Sequence, residues 1–106
     1  MPLSHPFEIK RSRQAREDLA DIRAWTIKRF GEEQWPIYRE RITETLSLIA
    51  FNPEIGVAVD DIAPGLLRYH MRQPKGRHYI YYVVQDGAII IVRLIHDARD
   101  QLNVFR

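Results

Sequence analysis

The side chains that could do chemistry in this chain are mostly cationic, and they concentrate in its last third. Residues 66–106 hold seven basic residues against three acidic ones, although the net charge of the whole chain is only +2. Arginine binds phosphate and carboxylate groups through forked hydrogen bonds, and histidine can carry a proton near neutral pH. The residues that could do either are Arg68, His70, Arg72, Arg77, Arg93, His96 and Arg99.

Two interpretations of this cationic set stay open. RNA can be cleaved without a metal if a base activates the 2′-hydroxyl and cations stabilise the phosphate. In that case His70 or His96 would move the proton and the arginines would bind the phosphate. Alternatively, the same side chains pair with Asp97, Asp100 or the carboxylates of a partner, or they form a solvated rim. The residue types alone do not decide between the two.

Other chemistries lack the residues they need. The chain has no cysteine, and no two of its four histidines stand four residues apart, so the sequence predicts neither a disulfide nor a metal site. Its serines lie in no strained-turn motif and its five glycines form no phosphate-binding loop, so we expect no cofactor. No apolar run approaches the roughly 20 residues that span a bilayer. We therefore expect a cytoplasmic protein that does not enter the membrane.

Two helical patterns must position the cationic third. Apolar residues recur at near-helical spacing over residues 15–30, after Ser12 as a helix N-cap and before Gly31 as a natural stop. A second stripe follows over residues 35–49 and ends before Pro53, because the residue before a proline avoids the helical region. The short junction between them predicts an antiparallel helical hairpin.

Strand-type runs flank this hairpin. A short strand is expected at residues 7–10, and three more at residues 66–73, 77–84 and 88–96, with turns at residues 74–76 and at Asp86-Gly87. Arg93 stands in an otherwise apolar strand, and because an unpaired buried charge is costly, it must reach an edge, an acidic partner or a ligand.

We therefore predict one α+β domain spanning residues 1–106. An N-terminal strand and a two-helix antiparallel hairpin would combine with a small twisted antiparallel sheet, the first strand pairing with the later three and the hairpin covering one face. The predicted core is Leu19, Ile22, Ile42, Leu46, Ile49, Leu67, Tyr69, Ile80, Tyr82, Ile90, Val92 and Leu94.

Short motifs accompany this order of elements. They are Ala15-x-x-Asp18-Leu19-x-x-Ile22, Asn52-Pro53-x-x-Gly56, Ile62-x-x-Gly65-Leu66-x-Arg68, His78-Tyr79-Ile80-x-Tyr82-x-Val84 with Asp86-Gly87, and Ile91-x-Arg93-x-Ile95-His96-x-x-Arg99-Asp100. Together, over nearly the whole chain, they resemble the RelE/ParE superfamily of bacterial toxins from type II toxin–antitoxin pairs.

The chain is more similar to the ParE branch of that superfamily. The resemblance implies a cytoplasmic toxin that inhibits DNA gyrase, blocks replication and growth, and serves plasmid stabilisation. It also implies neutralisation by a cognate antitoxin, in a hetero-oligomer whose acidic, amphipathic tail would suit the groove between helices and sheet. The expected partner-binding residues are Arg68, His70, Arg72, Arg77, Arg93, His96, Arg99 and Phe105.

The RelE branch implies a different activity, the cleavage of messenger RNA on the ribosome. Its members use basic residues on the sheet and, in many cases, a tyrosine near the C-terminus. Arg68 and Arg99 match such basic positions, and with His96 they would form the catalytic set of a metal-independent endoribonuclease. Phe105 stands at the C-terminal aromatic position and has no hydroxyl, which favours the ParE-like alternative.

Overall fold

The structure, a computed structural model, describes residues 5–71 and 77–105. A helical hairpin packs on one face of a five-stranded sheet of order β1-β5-β4-β3-β2, which confirms the α+β class. None of the described helices is long and apolar enough to cross a membrane. The elements are β1 (Glu8–Arg11), α1 (Arg13–Phe30), α2 (Gln34–Phe51), a 3-10 turn (Pro53–Ile55), β2 (Val57–Ala58), β3 (Leu67–Met71), β4 (His78–Gln85), β5 (Ala88–His96) and α3 (Gln101–Val104).

The helices begin and end at the predicted signals. The Ser12 hydroxyl accepts a hydrogen bond from the Ala15 amide at 3.0 Å, which satisfies one of the free donors of the first turn of α1. Gly31 follows α1 with a φ of 97°, a conformation that other residues rarely adopt. α2 ends at Phe51, and Pro53 then opens the 3-10 turn.

The sheet is mixed, whereas we predicted an antiparallel sheet that the first strand would join by pairing with the later three. β1 pairs only with β5, and the two strands are parallel. The reason is positional, because β4 already occupies one edge of β5 and β1 can join only at the other. The remaining pairs are antiparallel. Arg72, and the turn predicted at residues 74–76, lie outside the described residues.

The hairpin between β4 and β5 forms as predicted. Asp86 and Gly87 both have positive φ values, 52° and 75°, and the flanking Gln85 and Ala88 face each other across the strands. Two central residues with positive φ give the turn a twist that matches the twist of the strands. This local turn sets the register of the longest strand pair in the sheet.

The core on the helix side of the sheet confirms most of the predicted residues. Seven are buried there: Ile22, Ile42, Leu46, Ile49, Ile80, Tyr82 and Leu94. Three more pack partly buried against them: Leu19, Leu67 and Tyr69. Ile90 was wrong as a core residue, because the chain buries its neighbours Ile89 and Ile91, whereas Val92 packs partly buried on the opposite face of the sheet. A run that is apolar on both faces has no period that could reveal which residues face the helices.

The opposite face, called here the outer face, carries a second and smaller core. Tyr81 and Ile95 are buried there with Val59 and Leu66 from the segment before β3. A β-bulge shifts the register between β4 and β5. Tyr81 pairs with Arg93, but the next residue, Tyr82, pairs with Ile91.

At this bulge the hydrogen-bond partners along the edge of β5 come from α1 instead of β1. The Asp18 carboxylate accepts two hydrogen bonds from the Arg93 guanidinium, at 2.8 and 3.0 Å, and a third from the Leu94 amide at 2.9 Å. The Ser12 hydroxyl donates to the Val92 carbonyl at 2.7 Å. The side chains of Ser12 and Asp18 therefore bind backbone groups of β5 that β1 does not reach.

The Asp18–Arg93 pair is largely shielded from water, with side chains 11% and 15% exposed. The hydrogen bonds to Asp18 raise the pKa of Arg93 although its burial acts in the opposite direction. Arg93 was predicted to bind a partner, but its guanidinium is already paired with the Asp18 carboxylate of the same chain.

Replacing Asp18 should test how much this pair contributes. Asp18→Ala leaves a shielded guanidinium without a counterion and the Leu94 amide without an acceptor, so we expect the free energy of unfolding to fall by about 3 kcal/mol. Asp21→Ala changes an exposed carboxylate of the same helix and should cost less than about 0.5 kcal/mol. Urea denaturation of both variants measures the difference, and equal losses would show that the Asp18 contacts contribute nothing specific.

Candidate functional site

Four side chains form a connected row on the outer face. The Arg68 guanidinium lies 4.3 Å from the centre of the Tyr79 ring, and the His70 ring stacks on the same tyrosine with ring centres 4.2 Å apart. His70 Nε2 in turn lies 2.9 Å from the Asp97 carboxylate. Because each member holds the next, the Arg68 cation has a fixed position on the sheet.

Asp97 is the charged end of this row. Its burial raises the pKa of the carboxyl, but the His70 hydrogen bond and the charges of His96 and Arg77 outweigh burial and bring that pKa below its usual range. Asp97 is therefore an anion at neutral pH.

The C-terminal segment lies against the same outer face. The Tyr81 hydroxyl donates to the Gln101 side chain at 2.7 Å, and the Phe105 ring meets the Tyr81 ring edge-on at 4.8 Å. Burial raises the pKa of Tyr81, so this phenol stays protonated and remains a donor. Phe105 is thus placed at the outer face, half-buried on the sheet.

A groove lies on the other side of the sheet, between the helical hairpin and the ends of β4 and β5. It consists of two cavities of about 460 and 380 Å³, which share Trp25, His78 and His96 as lining residues. We call it the helix-side groove. Its larger cavity is lined by Trp25, Thr26, Phe30, Gln34, Ile37, Tyr38, Arg41, Arg77, His78 and His96. Asp18, Asp21, Ile22, Leu94 and Arg99 complete the smaller one.

His78 forms the floor of the helix-side groove in a neutral state. Its Nδ1 atom lies within hydrogen-bond distance of the Tyr38 hydroxyl. Burial, and after it the neighbouring His96, lowers the pKa of His78 to about 4. Burial also raises the pKa of Tyr38 to about 12, so the tyrosine is the donor and His78 Nδ1 the acceptor. At neutral pH, therefore, His78 carries its only ring proton on Nε2.

The sheet separates the predicted site residues into two groups. Arg68 and His70 belong to the outer face, whereas Arg77, His96 and Arg99 line the helix-side groove. The suggested ribonuclease set of Arg68, His96 and Arg99 is therefore divided between the two faces. Within residues 5–71 and 77–105, no three His, Asp or Glu side chains are grouped so that they could hold a metal ion.

Sequence reasoning missed the aromatic wall of the helix-side groove. Trp25 and Phe30 continue the apolar stripe of α1, yet they are 47% and 59% exposed. Both lie in the second half of α1, where they line the groove together with His78 and His96 at the ends of β4 and β5. Large aromatic residues exposed next to arginines are typical of surfaces that bind another molecule.

Comparison with known proteins identifies the family to which this chain is similar. The model of the family described as "ParE toxin of type II toxin-antitoxin system, parDE" matches residues 9–101. The protein named Toxin ParE1 of Mycobacterium tuberculosis, strain H37Rv, is 32% identical over 87 residues, which cover 81% of this chain and 85% of that protein. Toxin ParE1 of Caulobacter vibrioides is 30% identical over 93 residues, covering 88% and 90%.

Solved structures share the fold at lower identity. A chain from the chromosomal ParDE system of P. aeruginosa has a TM-score of 0.73 at 20% identity, covering 88% of this chain and 98% of its own length. A chain of the RelBE2 toxin–antitoxin complex from Mycobacterium tuberculosis has a TM-score of 0.66 at 16% identity, covering 93% and 100%. The architecture described above is therefore the architecture of these chains.

The neutral state of His78 predicts a loss of stability in acid. Unfolded His78 titrates near its usual pKa of 6.5, but the folded residue titrates near 4. The stability associated with the neutral ring is complete above pH 6.5 and is lost as the pH falls toward 4. The unfolding free energy should drop by up to about 3 kcal/mol.

The matched variant is His78→Asn, which keeps an acceptor for Tyr38 but cannot titrate. Urea denaturation at several pH values between about 7 and 4 should show the wild type losing its advantage over this variant as the pH falls. A difference between the two proteins that stays constant over this range would contradict the assignment.

Proposed function

The chain belongs to the ParE toxin family of type II toxin–antitoxin systems, and we propose that it inhibits DNA gyrase until a cognate antitoxin neutralises it. The observation that carries the proposal is the match of the ParE toxin family over residues 9–101. Gyrase is the target that the ParE branch implies, and it acts on the bacterial chromosome, so the proposed site of action is the cytoplasm.

The antitoxin would bind in the helix-side groove. The charged side chains lining its larger cavity, other than histidines, are Arg41 and Arg77, and its walls include the exposed Trp25, Phe30 and Ile37. An amphipathic segment with acidic residues beside large apolar ones complements both properties. The structural relatives solved as ParDE and RelBE2 toxin–antitoxin assemblies support an antitoxin partner.

The outer face is the better candidate for the gyrase contact. Arg68 is held over Tyr79 and is therefore pre-organised, so little side-chain entropy is lost when it binds a carboxylate. Phe105 and the exposed Leu102 lie on the C-terminal segment beside this face. An arginine with aromatic neighbours is the usual composition of a binding hot spot.

A ribonuclease activity is the second candidate, and one observation favours it. The rings of His78 and His96 lie 5.3 Å apart and line both cavities of the helix-side groove, with Arg77 in the larger cavity and Arg99 in the smaller one. Two imidazoles among cations could move a proton near a phosphate. Against this alternative, the neutral, buried His78 leaves only His96 exposed enough to exchange protons with solvent.

Purified protein should inhibit the supercoiling of relaxed plasmid by gyrase, and addition of the antitoxin should restore supercoiling. We expect Arg68→Ala to weaken inhibition about tenfold, as for an interface arginine. Arg16→Ala removes an exposed arginine from α1 and should leave inhibition unchanged. The absence of inhibition at saturating protein would refute the gyrase proposal.

Transcript ends mapped after induced expression distinguish the ribonuclease alternative. Cuts phased with codons that disappear in Arg99→Ala, together with unaffected gyrase, would replace the proposed target by messenger RNA. Growth inhibition without such cuts, relieved by the antitoxin, would support the proposal.

A further inference from the structure

The C-terminal residues 97–105 form a strap that crosses from the end of β5 to the outer face. Beyond the Tyr81–Gln101 bond, its apolar residues Val104 and Phe105 pack on the outer core. The helix within the strap is one turn long and its side chains are largely exposed. Such a short element has no stability of its own, so its position depends on how its base is attached.

The base of the strap is attached chiefly to one residue, His96. The His96 carbonyl accepts hydrogen bonds from the Gln101 side-chain amide at 2.9 Å and from the Arg99 amide at 3.1 Å. The His96 ring atom Nδ1 accepts a further bond from the Ala98 amide at 3.0 Å. An atom that accepts from an N–H carries no proton, so the observed turn requires neutral His96 with its proton on Nε2.

Protonation of His96 is incompatible with this turn. A proton on Nδ1 would point at the Ala98 N–H, and the bond would become a repulsion between two donors. The alternative acceptor is the Asp97 carboxylate, whose nearer oxygen lies 3.6 Å away. Asp97 is held by His70 through its other oxygen and by the Arg77 carbonyl through its amide. The ring and the turn must therefore move to bring Nδ1 and this carboxylate together.

We propose that His96 is a proton-sensitive latch: in its neutral form it holds the strap on the outer face, and in its protonated form it releases the strap. Histidine is the side chain that most readily gains or loses a proton near neutral pH, so a change of pH is the trigger of the latch. Release would uncover Tyr81 and Ile95, which are buried in the latched state. The latch concerns the free chain and does not depend on the proposed target.

Charged groups of both signs lie around His96. The carboxylates are Asp97 and Asp21, while the Asp18 carboxylate is already bound to Arg93. The cations are Arg77 before β4, Arg41 on α2 and Arg99 in the strap itself, and the neighbouring His78 and Tyr38 are neutral. The acceptor role of Nδ1 sets the sign of the response.

Amide hydrogen exchange of the full chain, measured by NMR and corrected for intrinsic rates, tests the latch. Protection of the amides of residues 98–105 should fall about fivefold between about pH 8 and pH 5, as expected for one lost hydrogen bond. Amides of β4 should keep their protection over this range. His78 does not interfere, because the pKa of that residue lies near 4.

Three variants separate His96 from its neighbours. His96→Asn offers an oxygen at the place of Nδ1 and cannot titrate, so its strap should stay protected at both pH values. His96→Leu offers no acceptor, so its strap should be unprotected at both. His70→Asn removes the other histidine bound to Asp97 and should keep the wild-type response. A wild type without the fall, or a His96→Asn variant with the same fall, would overturn the proposal, and this comparison holds even if His96→Leu does not fold.

Discussion

The fold depends on how the backbone hydrogen-bonding groups along one edge of β5 find partners. β5 lies between β4 and β1, but β1 ends at Arg11 while β5 continues to His96. From that point a side chain of the first helix supplies the hydrogen bonds, because Asp18 binds both the Leu94 amide and the Arg93 guanidinium. A strand edge left open would expose backbone donors and acceptors to other chains. The same contact fixes the hairpin on the sheet and so defines the walls of the helix-side groove.

The sheet thereby presents two surfaces of different character. The outer face offers a fixed cation in a row of stacked rings, whereas the helix-side groove offers exposed aromatic walls with arginines around a neutral imidazole. The junction after β5 touches both, since His96 lines the groove and Asp97 binds His70 on the outer face. A protein that must engage a target and be neutralised by a partner can therefore use separate surfaces that share one turn.

Local signals predicted the elements, while long-range pairing escaped prediction. Ser12, Gly31, Pro53 and Asp86-Gly87 act within a few residues, so the helices and the β4–β5 hairpin follow from the sequence. Arg93 signalled that a charge needed a partner, but nothing near it indicates Asp18, 75 residues earlier. The phase of β5 was equally hidden, because its run is apolar on both faces and has no period. For the site, the residue types indicated a cationic surface, and only the fold revealed that the sheet divides it.

The pairing of β1 has a consequence for synthesis on the ribosome. Glu8 pairs with Ala88 and Arg11 with Ile91, so the first strand has no neighbour in the sheet until residues 88–91 have been translated. The helices and the β4–β5 hairpin are local and can form as they emerge, whereas closing β1 onto β5 brings together the most distant parts of the chain. A nascent chain that stops before β5 consequently lacks the closed sheet.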